Sequence, residues 1–298
     1  MKLTNYIPLI GMGFMLLIVQ LIAVALSEPF EVNEFKAFSN PEAASNVVIW
    51  IAIILVFTAL IFLVIRMNKK WMIQAFILFT VASTLYYVFF AVFSVFLAPE
   101  INFLLTITLS IALTALLYKF PEWYVIDITG VIIGAGAASI FGISLAIMPT
   151  LLLLVLLAVY DYIAVYRTKH MVALAEGVMD LRLPILLVIP KRWGYSFLTE
   201  KFDKEEREAF FMGLGDAVMP TILVISANTF VKASYYTLPI LGTVNIPAIG
   251  AMLGTFAGFA VLMGFVMKGK PQAGLPFLNG GVILGYVAGS LIAGSPLI

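Results

Sequence analysis

Apolar stretches of about 20 residues recur along this chain, each long enough for a helix to cross the hydrocarbon core of a bilayer. Inside hydrocarbon every backbone N–H and C=O needs a partner, so such a stretch folds as a helix. The ten-residue alternation of a membrane barrel is absent. The expected fold is therefore all-α: a polytopic membrane protein with nine transmembrane helices at 7–27, 47–65, 71–98, 101–118, 124–141, 147–166, 209–231, 247–267 and 276–296. Only 11% of the residues are charged, against about 25% in a soluble domain, which excludes an ordinary soluble enzyme and a disordered chain. A formal net charge of +1 without a basic stripe argues against nucleic acid as a partner. With 0 Cys, thiol catalysis, thiolate metal sites and disulfides are excluded. The first apolar run is too long for the core of a cleaved signal peptide, and no small-x-small site follows it.

Orientation follows from the basic residues. Of the 17 Lys and Arg, all but Lys36 and Lys232 fall before the first span or in the loops that follow even-numbered spans. That segregation expects the N-terminus in the cytoplasm and the C-terminus outside. The segment 167–208 is the one sizeable cytoplasmic loop. It divides a six-span part, 1–166, from a three-span part, 209–298. Its charged end, Asp203 to Glu208, reads as the solvated start of the next helix, and its lone His170 as a surface residue.

Three acids lie within spans: Asp127, Asp161 and Asp216. An ionisable side chain in hydrocarbon is costly and is by default a candidate functional site. Asp161 precedes Arg167 by six residues and Asp216 follows Ala209 by seven. At about 1.5 Å of helical rise per residue, both sit roughly 10 Å from the cytoplasmic end. On consecutive antiparallel spans they can face each other. Asp127, at the cytoplasmic edge of the fifth span, reads as an interfacial or capping acid, with a tuning role for the pair as the alternative. Two facing carboxylates in a low dielectric hold one proton between them and titrate as a unit. One can then act as base toward water while the other donates to a carbonyl. Proton-coupled transport would use the same pair, and the pair alone does not separate the two.

The flanking residues narrow the choice. Asp161 follows Tyr160. Asp216 follows Gly213, Leu214 and Gly215, whose glycines permit close backbone approach. Pro276, Phe277 and Leu278 open the ninth span near the depth of the acids. Y-D, G-x-G-D and P-x-L in this order, in the sixth, seventh and ninth spans, resemble the GxGD intramembrane aspartyl proteases, the presenilins and signal peptide peptidases. The resemblance covers essentially the whole chain, and the orientation of the motif spans is that of presenilin rather than signal peptide peptidase. It implies an intramembrane aspartic endopeptidase with Asp161 and Asp216 as the catalytic pair. Tyr160, Gly213, Leu214 and Gly215 would support the site, and Pro276, Phe277 and Leu278 would position substrate. It implies transmembrane helical substrates, a lipid bilayer, no cofactor and no metal, and leaves the oligomeric state open. The compact length and the absence of N-x-S/T sequons suggest a microbial, archaeal member resident in the cell membrane. One departure is Phe277, where the family carries Ala; its bulk bears on substrate range. Prepilin peptidases also carry G-x-G-D, but follow it closely with a Lys that is missing here.

Two glycine series, Gly250, Gly254, Gly258 and Gly281, Gly285, Gly289, read as close helix packing. Tyr162 and Tyr166 read as interfacial or packing aromatics. Pro220, one turn after Asp216, is expected to bend the seventh span.

Overall fold

The computed structural model describes residues 7–67, 70–167, 186–192, 194–198, 208–238, 242–267 and 272–297. Nine helices occur among them: α1 (Ile7–Val32), α2 (Ser45–Arg66), α3 (Lys70–Ser94), α4 (Pro99–Lys119), α5 (Trp123–Gly142), α6 (Ile147–Tyr166), α7 (Leu214–Phe230), α8 (Ile246–Val266) and α9 (Leu275–Ala293). Seven are long and apolar enough to cross a membrane; α2 and α7 are the shorter apolar pair by that measure. Between them lie four short strands: β1 (Leu186–Pro190), β2 (Ala209–Gly213), β3 (Tyr235–Leu238) and β4 (Gly242–Asn245). They form two antiparallel hairpins, β1 with β2 and β3 with β4. His170 and residues 203–207 lie outside the described residues.

One helix, α4, is inside out relative to a surface helix of a soluble protein. On α4 the polar residues Asn102, Thr106 and Ser110, spaced by four, face inward and are buried, while Leu104 and Ile111 face outward. Thr106 donates to Asn102 Oδ1 at 3.0 Å, and Asn102 Nδ2 to the carbonyl of Phe90 on α3 at 3.3 Å. Hydrocarbon solvates the aliphatic face, so only the polar side chains gain by turning toward another helix.

The most enclosed helix is α7, with α1, α5, α6, α8 and α9 packed around it. From Ala217 to Asn228 every residue but Met219 is buried. A helix apolar on all sides belongs in such a place. Its far end is tied by Asn245, the N-cap of α8. The Asn245 side chain accepts the N–H of Ala248 at 2.9 Å and donates to the carbonyls of Ala227 and Val231 at 2.7 and 3.0 Å.

α8 and α9 pack antiparallel through their glycines. A Cβ on Gly254 would strike the carbonyl of Gly281 and lie 2.7 Å from the Cα of Gly285. Gly250 likewise meets Gly285 and Gly289, and Gly258 meets Phe277 and Gly281. The close packing expected from the glycine spacing is therefore present along the full contact.

The seventh span begins differently from the sequence expectation. Residues 209–213 are β2, paired with 186–190 of the long loop, and the helix starts only at Leu214. Asp216 is thus in the first turn of α7, and a depth counted in helical rise from Ala209 does not apply to it. Part of the long loop is also not solvated: Leu187 and Val188 are buried in the core beside α5.

Candidate active site

The site forms where the last turns of α6, the first turn of α7 and the start of α9 meet. Asp161 lies on the inner face of α6 and is 6% exposed. Its Oδ2 accepts the backbone N–H of Leu275 at 3.1 Å, and the N–H of Gly274 also bonds the carboxylate. These donors exist because α9 begins there: the first N–H groups of a helix have no partner within it. Pro276, in the first turn, has no N–H to satisfy, and Phe277 N–H already bonds the Gly274 carbonyl at 3.2 Å. The helix start is accounted for, with its two free donors spent on one acid.

Asp216 occupies the third position of α7 and reaches back to the N–H of Gly213, the N-cap. This is the backward half of a capping box, made by an aspartate. It also explains why the acid sits one turn after a glycine rather than deep in the helix. On its other side is Gly274, where a Cβ would lie 3.0 Å from Cγ, Oδ1 and Oδ2 of Asp216. Residues 274 and 275 therefore touch both acids: Leu275 N–H bonds Asp161, and Gly274 lies against Asp216. The two carboxylates are close enough for the charge of one to act on the other. Both stand at helix N-termini, whose partial positive charge favours an anion there.

The other expected residues fall around this centre. Gly215 is exposed, with open space about its Cα, and Leu214 packs on α5 near Gly130 and Gly134. Tyr160 is partly buried on α6. Leu278 is fully buried, and Pro276 and Phe277 are partly so. The Phe277 ring lies 5.4 Å from that of Phe265, so α8 receives the bulk that an alanine would lack. An apolar groove of about 730 Å³ follows α8 and α9 up to Pro276 and Phe277, lined by neither aspartate. Pro220 removes the N–H that would bond the carbonyl of Asp216.

Two contributors were not read from the sequence. Tyr166, expected to be an interfacial or packing aromatic, donates to Gln272 Oε1 at 2.6 Å and accepts the N–H of Ala273 at 3.4 Å. With Asp161 it straps residues 272–275 to the end of α6. Asn279, buried one turn into α9, donates to the carbonyl of Leu154 on α6 at 2.9 Å. Asp127, near the start of α5, is 2% exposed, and its Oδ1 accepts the N–H of Val188 at 2.7 Å. Among the described residues no cluster of His, Cys, Asp or Glu is arranged to hold a metal ion.

Asp161 and Asp216 thus come together at the start of α9, among apolar helices. The chain belongs to the family described as signal-peptide peptidase, presenilin aspartyl protease, whose model matches residues 12–295. It is similar to the solved structure of a presenilin family intramembrane aspartate protease in a C222 crystal form. The identity is 43%, the TM-score 0.73, and the match covers 96% of this chain and 100% of that one. A structure of a presenilin family intramembrane aspartate protease in a P2 crystal form matches at 42% identity and a TM-score of 0.72, over 97% and 100% of the two chains. No curated protein matches the chain.

Proposed function

We propose that Asp161 and Asp216 are the catalytic dyad of this intramembrane aspartic endopeptidase. Its substrates are the transmembrane helices of membrane proteins. One observation supports the assignment above the others: adjacent residues 274 and 275 touch both carboxylates, so the two acids are held about one small gap. A water between them loses a proton to the ionised member as its oxygen attacks the scissile carbonyl carbon. The protonated member gives its proton to the carbonyl oxygen, forming a gem-diol. As the gem-diol collapses the C–N bond breaks, the proton taken from water passes to the leaving nitrogen, and one hydroxyl proton returns to the carboxylate that had given its own, which restores the singly protonated pair. The carbonyls of an intact helix are hydrogen-bonded within it, so the substrate is cut where it unwinds. Pro276, Phe277 and Leu278 border that place, with Tyr160, Gly213, Leu214 and Gly215 shaping the ground around the acids.

The chain crosses the membrane nine times, with the N-terminus in the cytoplasm, the C-terminus outside and 167–208 as the cytoplasmic loop. Its home is the cell membrane of a microbe. The basic-residue segregation supports this orientation. The test of function is incubation of the purified chain with a labelled transmembrane peptide and mass spectrometry of the products. Fragments from peptide-bond hydrolysis that disappear with Asp161→Asn and with Asp216→Asn are expected. Cleavage that persists in either variant would overturn the dyad.

A further inference from the structure

A third acid lies within the helices and outside the dyad. Asp127 is on α5, buried, with Oδ1 on the N–H of Val188 and no partner for Oδ2 among the described residues. A buried carboxylate is expensive to keep, so what it holds is informative. Val188 is the middle residue of β1 and pairs with Phe211 of β2. Its N–H points at α5, away from β2, as the N–H groups of every second antiparallel pair do. The bond therefore ties the outer edge of the hairpin to α5. Three residues after β2 ends comes Asp216.

The same face of α5 carries Gly130 and Gly134, three and seven positions beyond Asp127. A Cβ on Gly130 would lie 3.5 Å from Leu187 Cδ2, and one on Gly134 would lie 2.9 Å from Leu214 Cδ1. α5 thus receives β1 at Asp127 and Gly130, and the first residue of α7 at Gly134. The chain beyond β1 is held to the start of the same helix. Glu122 accepts the Ser196 hydroxyl at 2.6 Å and the Phe197 N–H at 3.0 Å.

We infer that this face of α5 is the seat of Asp216, and that Asp127, through the N–H of Val188, is a positioning residue for the reaction. The inference rests on Asp161 and Asp216 being the dyad. It makes the acceptor oxygen, not the charge, the required feature of residue 127.

The experiment is turnover of the labelled transmembrane peptide by the full chain, with kcat and KM separated and thermal unfolding followed on the same preparations. Asp127→Asn keeps an oxygen for Val188, and kcat should stay within about fivefold of the parent. Asp127→Leu removes the acceptor, and kcat should fall between about tenfold and a hundredfold at nearly constant KM, as expected for a misplaced catalytic group. Val188→Pro removes the donor instead. That N–H is outside the ladder, so the strand tolerates proline there, and the loss should match. The double variant should be no worse than either single one. Val188→Pro decides the matter if Asp127→Leu does not fold. Parent kcat in either folded variant, a loss confined to KM, or an Asp127→Asn as impaired as Asp127→Leu would overturn the inference. Asp216→Asn in the same assay reports on the dyad alone; activity surviving there strikes the pairing, whatever the Asp127 series shows.

Discussion

At the scale of single residues, the proposed site is two carboxylates and the backbone that receives them. Replacing either by asparagine preserves size and removes the titratable proton. Asp161→Asn and Asp216→Asn should each reduce peptide cleavage at least about a thousandfold, since general acid and general base are lost together. The double variant should be no slower than the singles, because the acids act as one unit. The rate against pH should be bell-shaped: the pair works only while it holds one proton, so activity falls on the acid side as the second proton binds and on the basic side as the shared one leaves. Tyr166→Phe removes from the strap on 272–275 a hydroxyl that makes two hydrogen bonds, and should lower kcat no more than about thirtyfold, at about 1 kcal/mol for each bond. Steady-state kinetics on the labelled peptide checks all three. The acids were legible in the sequence because a charge among apolar residues is costly wherever it stands. Their partners were not: Gly213, Gly274 and Leu275 contribute backbone N–H groups, which every residue but proline has. Tyr166 was placed at the right helix end, but a tyrosine there serves an interface equally well.

Elements show the same division between what a pattern can and cannot specify. The glycines of α8 and α9 recur every fourth residue, and that period is visible without any structure. It predicts contact, and the contact is backbone on backbone. Gly254→Leu should therefore destabilise the protein by about 3 kcal/mol or more, since the carbonyl of Gly281 and the Cα of Gly285 cannot yield as a side chain would. A lowered thermal midpoint in detergent is the measurement, with Gly264→Leu, which meets open space, as the neutral comparison. The hairpin of β1 and β2 was illegible for the opposite reason. Residues 209–213 are apolar and run straight into an apolar helix, and short apolar runs do not distinguish strand from buried helix. What makes them a strand is a partner 19 to 27 residues earlier, inside a loop that sequence reading assigned to solvent. The consequence reaches the site, because β2 delivers Asp216 in the first turn of α7 instead of the second. What brings the two acids to one place is their shared contact with 274 and 275, and not a helical rise counted from Ala209.

For the whole molecule the open question of placement turns on α7. With 17 residues it spans about 26 Å, short of the roughly 30 Å of hydrocarbon. Its flanks, however, are extended chain, β2 on one side and the β3–β4 hairpin on the other, and it is enclosed by five helices. Non-helical backbone is tolerated at membrane depth where protein surrounds it. A short crossing is therefore physically sound in the middle of the bundle and would not be at its lipid-facing rim. The absence of Cys makes the test clean. Gly194→Cys, exposed in the segment before α7, and Pro296→Cys, exposed after α9, are separated by α7, α8 and α9. Three crossings place them on opposite sides. A membrane-impermeant maleimide applied to intact cells should label position 296 at once and position 194 only after the membrane is opened. Labelling of both from the same side would mean that one of the three helices, and by length α7, does not cross. It would put both basic and acidic loops on the wrong faces and require a different path for substrate to the dyad.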